Sequence, residues 1–339
     1  MYVLNGILIL LTFLAYALPF LAPKAFPLLS VLTLILPSFL IVNGLFFLYW
    51  LLQFKRQLVL SGIVLLLGIT FINKYYKFSS TDLPKSEKDF TVMSYNVRLF
   101  NLFKWIDNEN VGNDILGFIN EKNPDIICVQ EYSENAKVDF RVYKYKAVFI
   151  EGDKIKTGQA IFSKFPIFNQ GNLHLLQDGN NIVYADIKKG KDTLRVYNMH
   201  LQSIKISPDL SDLSNNVETI NKAKSQMVFG RIRDAFKRQE FQMEIFVNHK
   251  KDLKYPLIIC GDMNNSAFSY IYRNIKGDLN DCFEEAGKGF GQTYNFKYYP
   301  ARIDYIFADK KMKVKSFKNF PKFDKSDHFP IMTRLVFVE

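Results

Sequence analysis

The 339 residues carry a formal net charge of +11, with 48% hydrophobic residues and three cysteines. That length holds either a membrane segment plus one large domain or two ordinary domains, and three cysteines cannot all pair, so a disulfide framework is not indicated. The basic excess fits phosphate-bearing substrates or anionic lipid head groups.

No acidic residue precedes Asp82, and Val3–Leu21, Leu28–Leu52 and Leu58–Ile72 are almost wholly apolar. The first two are long enough to cross a hydrocarbon core of about 30 Å at about 1.5 Å per residue, and the third crosses with its flanks. Three transmembrane helices are therefore predicted within residues 1–77. Ala15 and Ala17 resemble a signal-peptide cleavage site, but no basic segment precedes them and two further apolar segments follow, so retention is expected. Pro37 should kink the second helix rather than abolish it. Lys55 and Arg56 form a compact basic loop that favours a carboxyl-terminal domain outside the cytoplasm, while Lys74 and Lys77 argue the other way. The expectation is an outward-facing domain. Lys24, Lys55, Arg56, Lys74 and Lys77 place five of the positive charges in this part, leaving +6 for the remainder.

Residues 78–89 read as a polar linker, and 90–339 as the main domain. Phe90–Val97 is strand-like and ends in Asn96 followed by Arg98. Asn113–Asn123 carries Ile115, Phe118 and Ile119 at helical spacing between an Asn/Asp start and Pro124. Asp125–Glu131 is a buried strand ending abruptly in Gln130 and Glu131. Thr157–Lys164 and Asn181–Ile187 are further strands, and Thr193–Gln202 sets Asn198 and His200 on one face. Ile206–Asn216 is polar and reads as a loop. Val217–Val247 reads as one long helix or two, with Gly230 as the break point and Arg231, Arg233, Lys237 and Arg238 on a solvated or substrate-facing side.

Leu257–Asn265 reads LIICGDMNN, a buried strand delivering Asp262 and Asn264 to its carboxyl end; open α/β sheets keep their sites there. Gly261 is positioned as a hinge turning both side chains out of the sheet. Phe268–Ile275 looks helical. Gly287–Tyr294 looks like a glycine-rich loop entering a strand, without the strand and helix of a nucleotide-binding fingerprint. Arg302–Phe307 places Arg302, Asp304 and Ile306 on one side of a strand, where the charges need partners or a function. Ser326–Pro330 sets Asp327 beside His328 ahead of the last strand, Ile331–Phe337. Histidine is the side chain suited to proton transfer near neutrality. Cys128 and Cys260 lie in apolar runs, where a thiol serves as a small hydrophobe.

The ordered set SYNVR, VQE, TGQAIFSK, NMHLQ, CGDMN, RIDYIF and SDH resembles the endonuclease/exonuclease/phosphatase superfamily over about Phe90 to Glu339. The resemblance implies a four-layered α/β sandwich, with two packed mixed β-sheets flanked by helices. It also implies metal-site roles for Asn96, Glu131 and Asp327, with Glu131 the direct ligand. Asp262 and Asn264 would handle the attacking water and phosphoryl oxygens, Asp304 and His328 would form an acid–histidine dyad, and His200 would match the histidine of the deoxyribonuclease and sphingomyelinase branches. Oxygen ligands suit Mg²⁺ or Mn²⁺, and no Cys/His cluster points to zinc. His328 or Asp262 takes the water proton. The expected activity is hydrolysis of phosphoesters, nuclease-like, by a membrane-anchored enzyme. A phospholipid head group is the alternative substrate, and a catalytically silent binding module the alternative class. No protein partner is expected.

Overall fold

The computed structural model describes residues 1–173, 175, 180–204, 222–297 and 299–338. It forms two compact units: residues 1–75, 202–244 and 265–275 in one, and 76–201, 245–264 and 276–339 in the other.

The first unit contains helices α1 (Tyr2–Ala17), α2 (Leu32–Leu52) and α3 (Leu58–Tyr75). With their flanking turns they give three stretches long and apolar enough to cross a membrane, Tyr2–Phe20, Leu29–Leu52 and Leu58–Tyr75. α2 continues through Pro37. Their few polar side chains bond to one another across the bundle. Asn5 donates to Ser61 Oγ at 3.1 Å and accepts from Trp50 Nε1 at 2.9 Å, and Asn43 donates to Thr12 Oγ1 at 2.9 Å. In lipid, a polar group without such a partner is expensive, so these pairs set the rotation of each helix. Ile232, Ala235 and Phe236 of α5 (Lys222–Lys250) pack with Val31 and Leu34 in the same unit. α5 is one helix across Gly230; the predicted loop Ile206–Asn216 and the start of the predicted helix, 217–221, lie outside the described residues.

The second unit is built on two six-stranded mixed sheets. One contains β1 (Phe90–Asn96), β2 (Ile126–Ser133), β3 (Tyr145–Glu151), β4 (Thr157–Ser163), β11 (Met312–Asn319) and β12 (Ile331–Phe337), ordered β11-β12-β1-β2-β4-β3. The other contains β5 (Ile167–Asn172), β6 (Ile182–Lys189), β7 (Asp192–His200), β8 (Leu257–Asp262), β9 (Asn280–Asp281) and β10 (Asp304–Ala308), ordered β5-β6-β7-β8-β10-β9. Each sheet has one parallel pair at its centre, β1 with β2 and β7 with β8. The inner faces meet in one apolar core that includes Val92, Ile126, Cys128 and Ile161 from the first sheet and Val183, Val196, Ile258 and Cys260 from the second. Cys128, Cys260 and Cys282 are free and buried, which agrees with their reading as small hydrophobes. Outside the first sheet, Ile115 and Ile119 of α4 (Val111–Lys122) pack with Tyr95, Ile127 and Val129. On the second sheet, Phe246 meets Tyr197 edge-on at 5.0 Å. The two mixed sheets flanked by helices are the predicted architecture.

Four local expectations differ from the structure. The strand read to end at Glu131 runs on to Ser133, because an insertion keeps the ladder going beyond it. The strand read from Arg302 begins at Asp304, and Arg302 is instead paired with buried Asp281 at 2.7 Å. Among the described residues Gly287–Tyr294 enters no strand; Tyr294 forms isolated bridges to Ala301 and His328. The segment read as a linker, 78–89, is pinned to the first sheet: Arg334 reaches Asp82 at 2.7 Å, and Lys315 reaches Asp89 at 2.9 Å.

Candidate active site

The site is set by strand register. β7 and β8 run parallel with His200 beside Asp262, and β8 and β10 run antiparallel with Asp262 beside Asp304. Three chemically active side chains thus lie in one row across the second sheet. Asn96 ends β1 next to Gln130 of β2, one residue before Glu131. The carboxyl ends of both central parallel pairs therefore converge.

Two backbone devices aim the side chains. In the ladder of β2 with β4, Val129 pairs with Ala160 and Tyr132 with Gly158, so two residues of β2 oppose one of β4. This bulge carries Glu131 at φ +49°; such insertions re-aim a side chain at the end of a sheet. Asn264 is also left-handed, at φ +48°. Left-handed backbone costs a residue with a Cβ about 1–3 kcal/mol, and such residues concentrate at functional sites. Gly261 does more than hinge. Its φ is +137°, and a Cβ there would lie 2.0 Å from Met199 O on β7. Only glycine lets β8 lie this close to β7 just ahead of Asp262.

Asp262 is the hub. Its Oδ1 accepts from Asn264 N at 2.7 Å, and its Oδ2 accepts from Asn96 Nδ2 at 3.2 Å and Asn264 Nδ2 at 3.3 Å. Two imidazoles face the same Oδ2, His328 Nε2 at 3.5 Å and His200 Nε2 at 3.7 Å. Asn96 Nδ2 also donates to Glu131 Oε1 at 3.2 Å, and His200 Nε2 lies 3.7 Å from that oxygen. The Asn96 side-chain oxygen, Oδ1, accepts from Arg98 N at 3.0 Å. Its amide therefore turns toward the two carboxylates and separates them. Asn264 spends its side-chain donors on Asp262 and on Leu201 O at 2.9 Å.

His328 Nδ1 meets Asp304 Oδ2 at 2.9 Å, which leaves Nε2 toward Asp262. Both Asp304 and His328 are buried. Burial works to lower the imidazole, and the combined pull of Asp304, Asp262 and Asp327 overcomes it, so His328 holds its proton well above the ordinary value of 6.5. Burial pushes the Asp262 carboxyl up to about 6, with Asp304 adding to the rise and the two histidines opposing it. Two groups coupled this closely titrate as a unit.

Several supporting residues carried no signal in the sequence. Ser326 Oγ donates to Asn96 O at 2.9 Å and accepts from His328 N at 3.2 Å, tying the first sheet's strand end to the histidine. Thr293 Oγ1 accepts from Ile303 N at 3.0 Å and Asp304 N at 3.1 Å. The Tyr294 ring lies 4.9 Å from the His328 ring. Asn198, read as sharing a face with His200, points between the sheets. There it accepts from Gln130 Nε2 at 2.6 Å and donates to Val129 O and Ala160 O, each at 2.9 Å. A serine, a threonine or an amide acquires such a role only through its neighbours in space.

Among the described residues, the groups able to share one ion are Asp262, Asp304 and His328, whose ligand atoms lie within 4.8 Å of one another. Glu131 and Asp327 stand apart from that cluster. Glu131 lies beside Asn96 and His200, and Asp327 lies 3.4 Å from Arg98 Nε. Among the described residues Glu131 Oε2 has no hydrogen-bond partner, and the side chain is 29% exposed. Asp262, by contrast, has both oxygens engaged. A half-free carboxylate at the rim of the site fits a hard divalent cation.

A model of the Endonuclease/Exonuclease/phosphatase family matches residues 93–328, and one for a domain of unknown function, DUF8431, matches residues 1–75. No curated protein matches the chain. Among solved structures, the human Nocturnin catalytic domain with bound sulfate anion is 19% identical, covering 76% of this chain and 98% of that one, with a TM-score of 0.55. D. rerio TDP2 complexed with single strand DNA product is 15% identical over 74% of this chain and 99% of that one, with a TM-score of 0.53. A mannosyl-6-phosphatase of Bacteroides thetaiotaomicron is 19% identical over 73% and 100%, with a TM-score of 0.52. At these identities the likeness is one of fold.

Proposed function

Because the chain belongs to the Endonuclease/Exonuclease/phosphatase family, we propose that it is a membrane-anchored, divalent-metal-dependent hydrolase of phosphodiester bonds. The observation that carries this reading is the convergence of Asp262 with His200, His328 and Asn96 on one carboxylate oxygen, with Glu131 alongside.

Glu131 would hold Mg²⁺ or Mn²⁺, with Asp327 as a second carboxylate and Asn96 orienting Glu131. When bound, the ion supplies positive charge to the nonbridging oxygens of the phosphoryl group. The chain's own residues do the rest. Asp262 and His328 act as one proton-accepting pair toward the attacking water, and Asp304 keeps the His328 ring turned so that Nε2 faces the reaction. His200 sits on the other side of Asp262 and donates a proton to the departing oxygen. Asn264 fixes Asp262 by two contacts and contributes a dipole toward developing charge. The three apolar helices support a second substrate reading, in which a phospholipid head group is hydrolysed at the membrane surface.

The test uses the purified full chain in detergent, with Mg²⁺ or Mn²⁺ and then with chelator, on plasmid DNA, sphingomyelin and phosphoinositides. Chelator-sensitive cleavage of a phosphodiester is expected. No turnover of any of these substrates, together with no metal binding, overturns the proposal.

A further inference from the structure

The loop after β1 holds a feature that hydrolysis itself does not require. Arg98, Leu99, Phe100 and Asn101 all have left-handed backbone, with φ between 44° and 64°, and Lys104 follows at 56°. None is glycine. The strain is stabilised from both sides: Leu99 and Phe100 are buried, and Asn101 clamps the far end. Its amide donates to Ile106 O at 2.8 Å and Asn108 O at 3.2 Å, and its carbonyl accepts from Ile106 N at 2.9 Å. Strained backbone held this firmly points to a side chain that has to be presented in one place.

What the loop presents is aromatic and cationic. Phe103 is 51% exposed and Trp105 44% exposed, although each is large enough to anchor a core. Their rings meet edge-on, 5.1 Å apart at 63°, so the two are not stacked on each other. The Arg98 guanidinium lies over the Trp105 indole at 4.5 Å, and its Nε is 3.4 Å from Asp327 Oδ2, beside His328. A continuous path of contacts therefore runs from the reacting centre through Asp327 and Arg98 to an exposed indole.

We propose that Arg98, Trp105 and Phe103 form a ring-stacking subsite that takes the base of a nucleoside phosphodiester, placing the phosphate beside Asp327 and His328. This rests on the hydrolase reading above. A flat base and a flat guanidinium stack on an indole, whereas an acyl chain gains nothing from the planar geometry, and the order Phe103-Lys104-Trp105 alternates aromatic with cation as unpaired nucleic acid requires. The subsite is sequence-tolerant, because every base has a face to stack.

Two measurements on the full chain in detergent test it. The first compares turnover of the dinucleotide dTpdT with that of its counterpart lacking both bases. The native chain is expected to favour dTpdT by about tenfold or more in kcat/KM, carried by KM, and Trp105→Leu to lose most of that preference while Trp105→Phe keeps it. The second needs no turnover: thymidine 5′-monophosphate with chelator present should quench indole fluorescence in the native chain and not in Trp105→Leu. The remaining tryptophan, Trp50, lies in α2 and serves as the background. Equal turnover of the two diesters by both proteins, with no quench, overturns the subsite while leaving the hydrolase reading standing. So does a Trp105→Leu defect confined to association with phosphatidylcholine/phosphatidylglycerol vesicles. A quench without any hydrolysis would keep the subsite and remove the hydrolase reading.

Discussion

Asp262 and Asp304 are direct partners across antiparallel strands, and His328 bridges them, with Nδ1 2.9 Å from Asp304 and Nε2 3.5 Å from Asp262. Two buried carboxylates side by side repel unless something positive lies between them, and the imidazole is that group. The arrangement distinguishes the two acids: Asp304 meets the ring at Nδ1, and Asp262 lies toward Nε2.

Asp304→Asn keeps the shape and one hydrogen bond to the ring but removes the charge that holds the His328 proton. Under the proposed reaction kcat should fall by roughly 10²-fold or more, with KM little changed. Initial-rate kinetics on the best phosphodiester checks this; an unchanged kcat would falsify the orienting role.

Asn96→Ala removes the amide between Glu131 and Asp262. Residues that orient a ligand typically contribute 10–100-fold to metal affinity, and a loss on the order of that range is expected for Mn²⁺. Titration calorimetry of the full chain reads it directly, and native affinity in the variant would mean that Asn96 does not prepare the site.

Gly261→Ala should destabilise the second unit severely, by about 3 kcal/mol or more, since the added carbon has to displace the Met199 carbonyl and the backbone is left-handed. Thermal unfolding measures it. A melting temperature equal to the native one would show that β8 can move away from β7 at no cost.

Asp89 gives a pH dependence remote from the catalytic groups. Burial works to raise its carboxyl, and hydrogen bonds from Lys315 and Ser86 outweigh burial and hold it below the ordinary 3.8. The native state thus prefers the ionised form. Its contribution to stability is complete above 3.8 and is lost as pH falls through the lowered native value. Asp89→Asn should be less stable than the native chain at neutral pH, with the difference closing in acid. Melting curves from neutral pH down to about pH 2 would show the two lines converging; parallel lines would count against the pairing.

Much of the molecule was legible in the sequence because its signals are local. Three long apolar stretches, the alternation and apolar runs of the strands, and polar groups at strand ends need no partner to be recognised, and they placed Asn96, Glu131, His200 and Asp262 toward the ends of their elements. The edge strands β3 and β5 escaped because their exposed residues break the apolar pattern. Tertiary structure alone decided the rest. The bulge that turns Glu131, the closeness of β7 that requires Gly261, and the Ser326 and Thr293 contacts that hold the dyad all depend on which strands lie side by side. So does Arg98, which reads as an ordinary loop cation until Asp327, distant in sequence, is brought beside it. A residue's type and its neighbours along the chain determine its chemistry; the register between strands determines what that chemistry acts on.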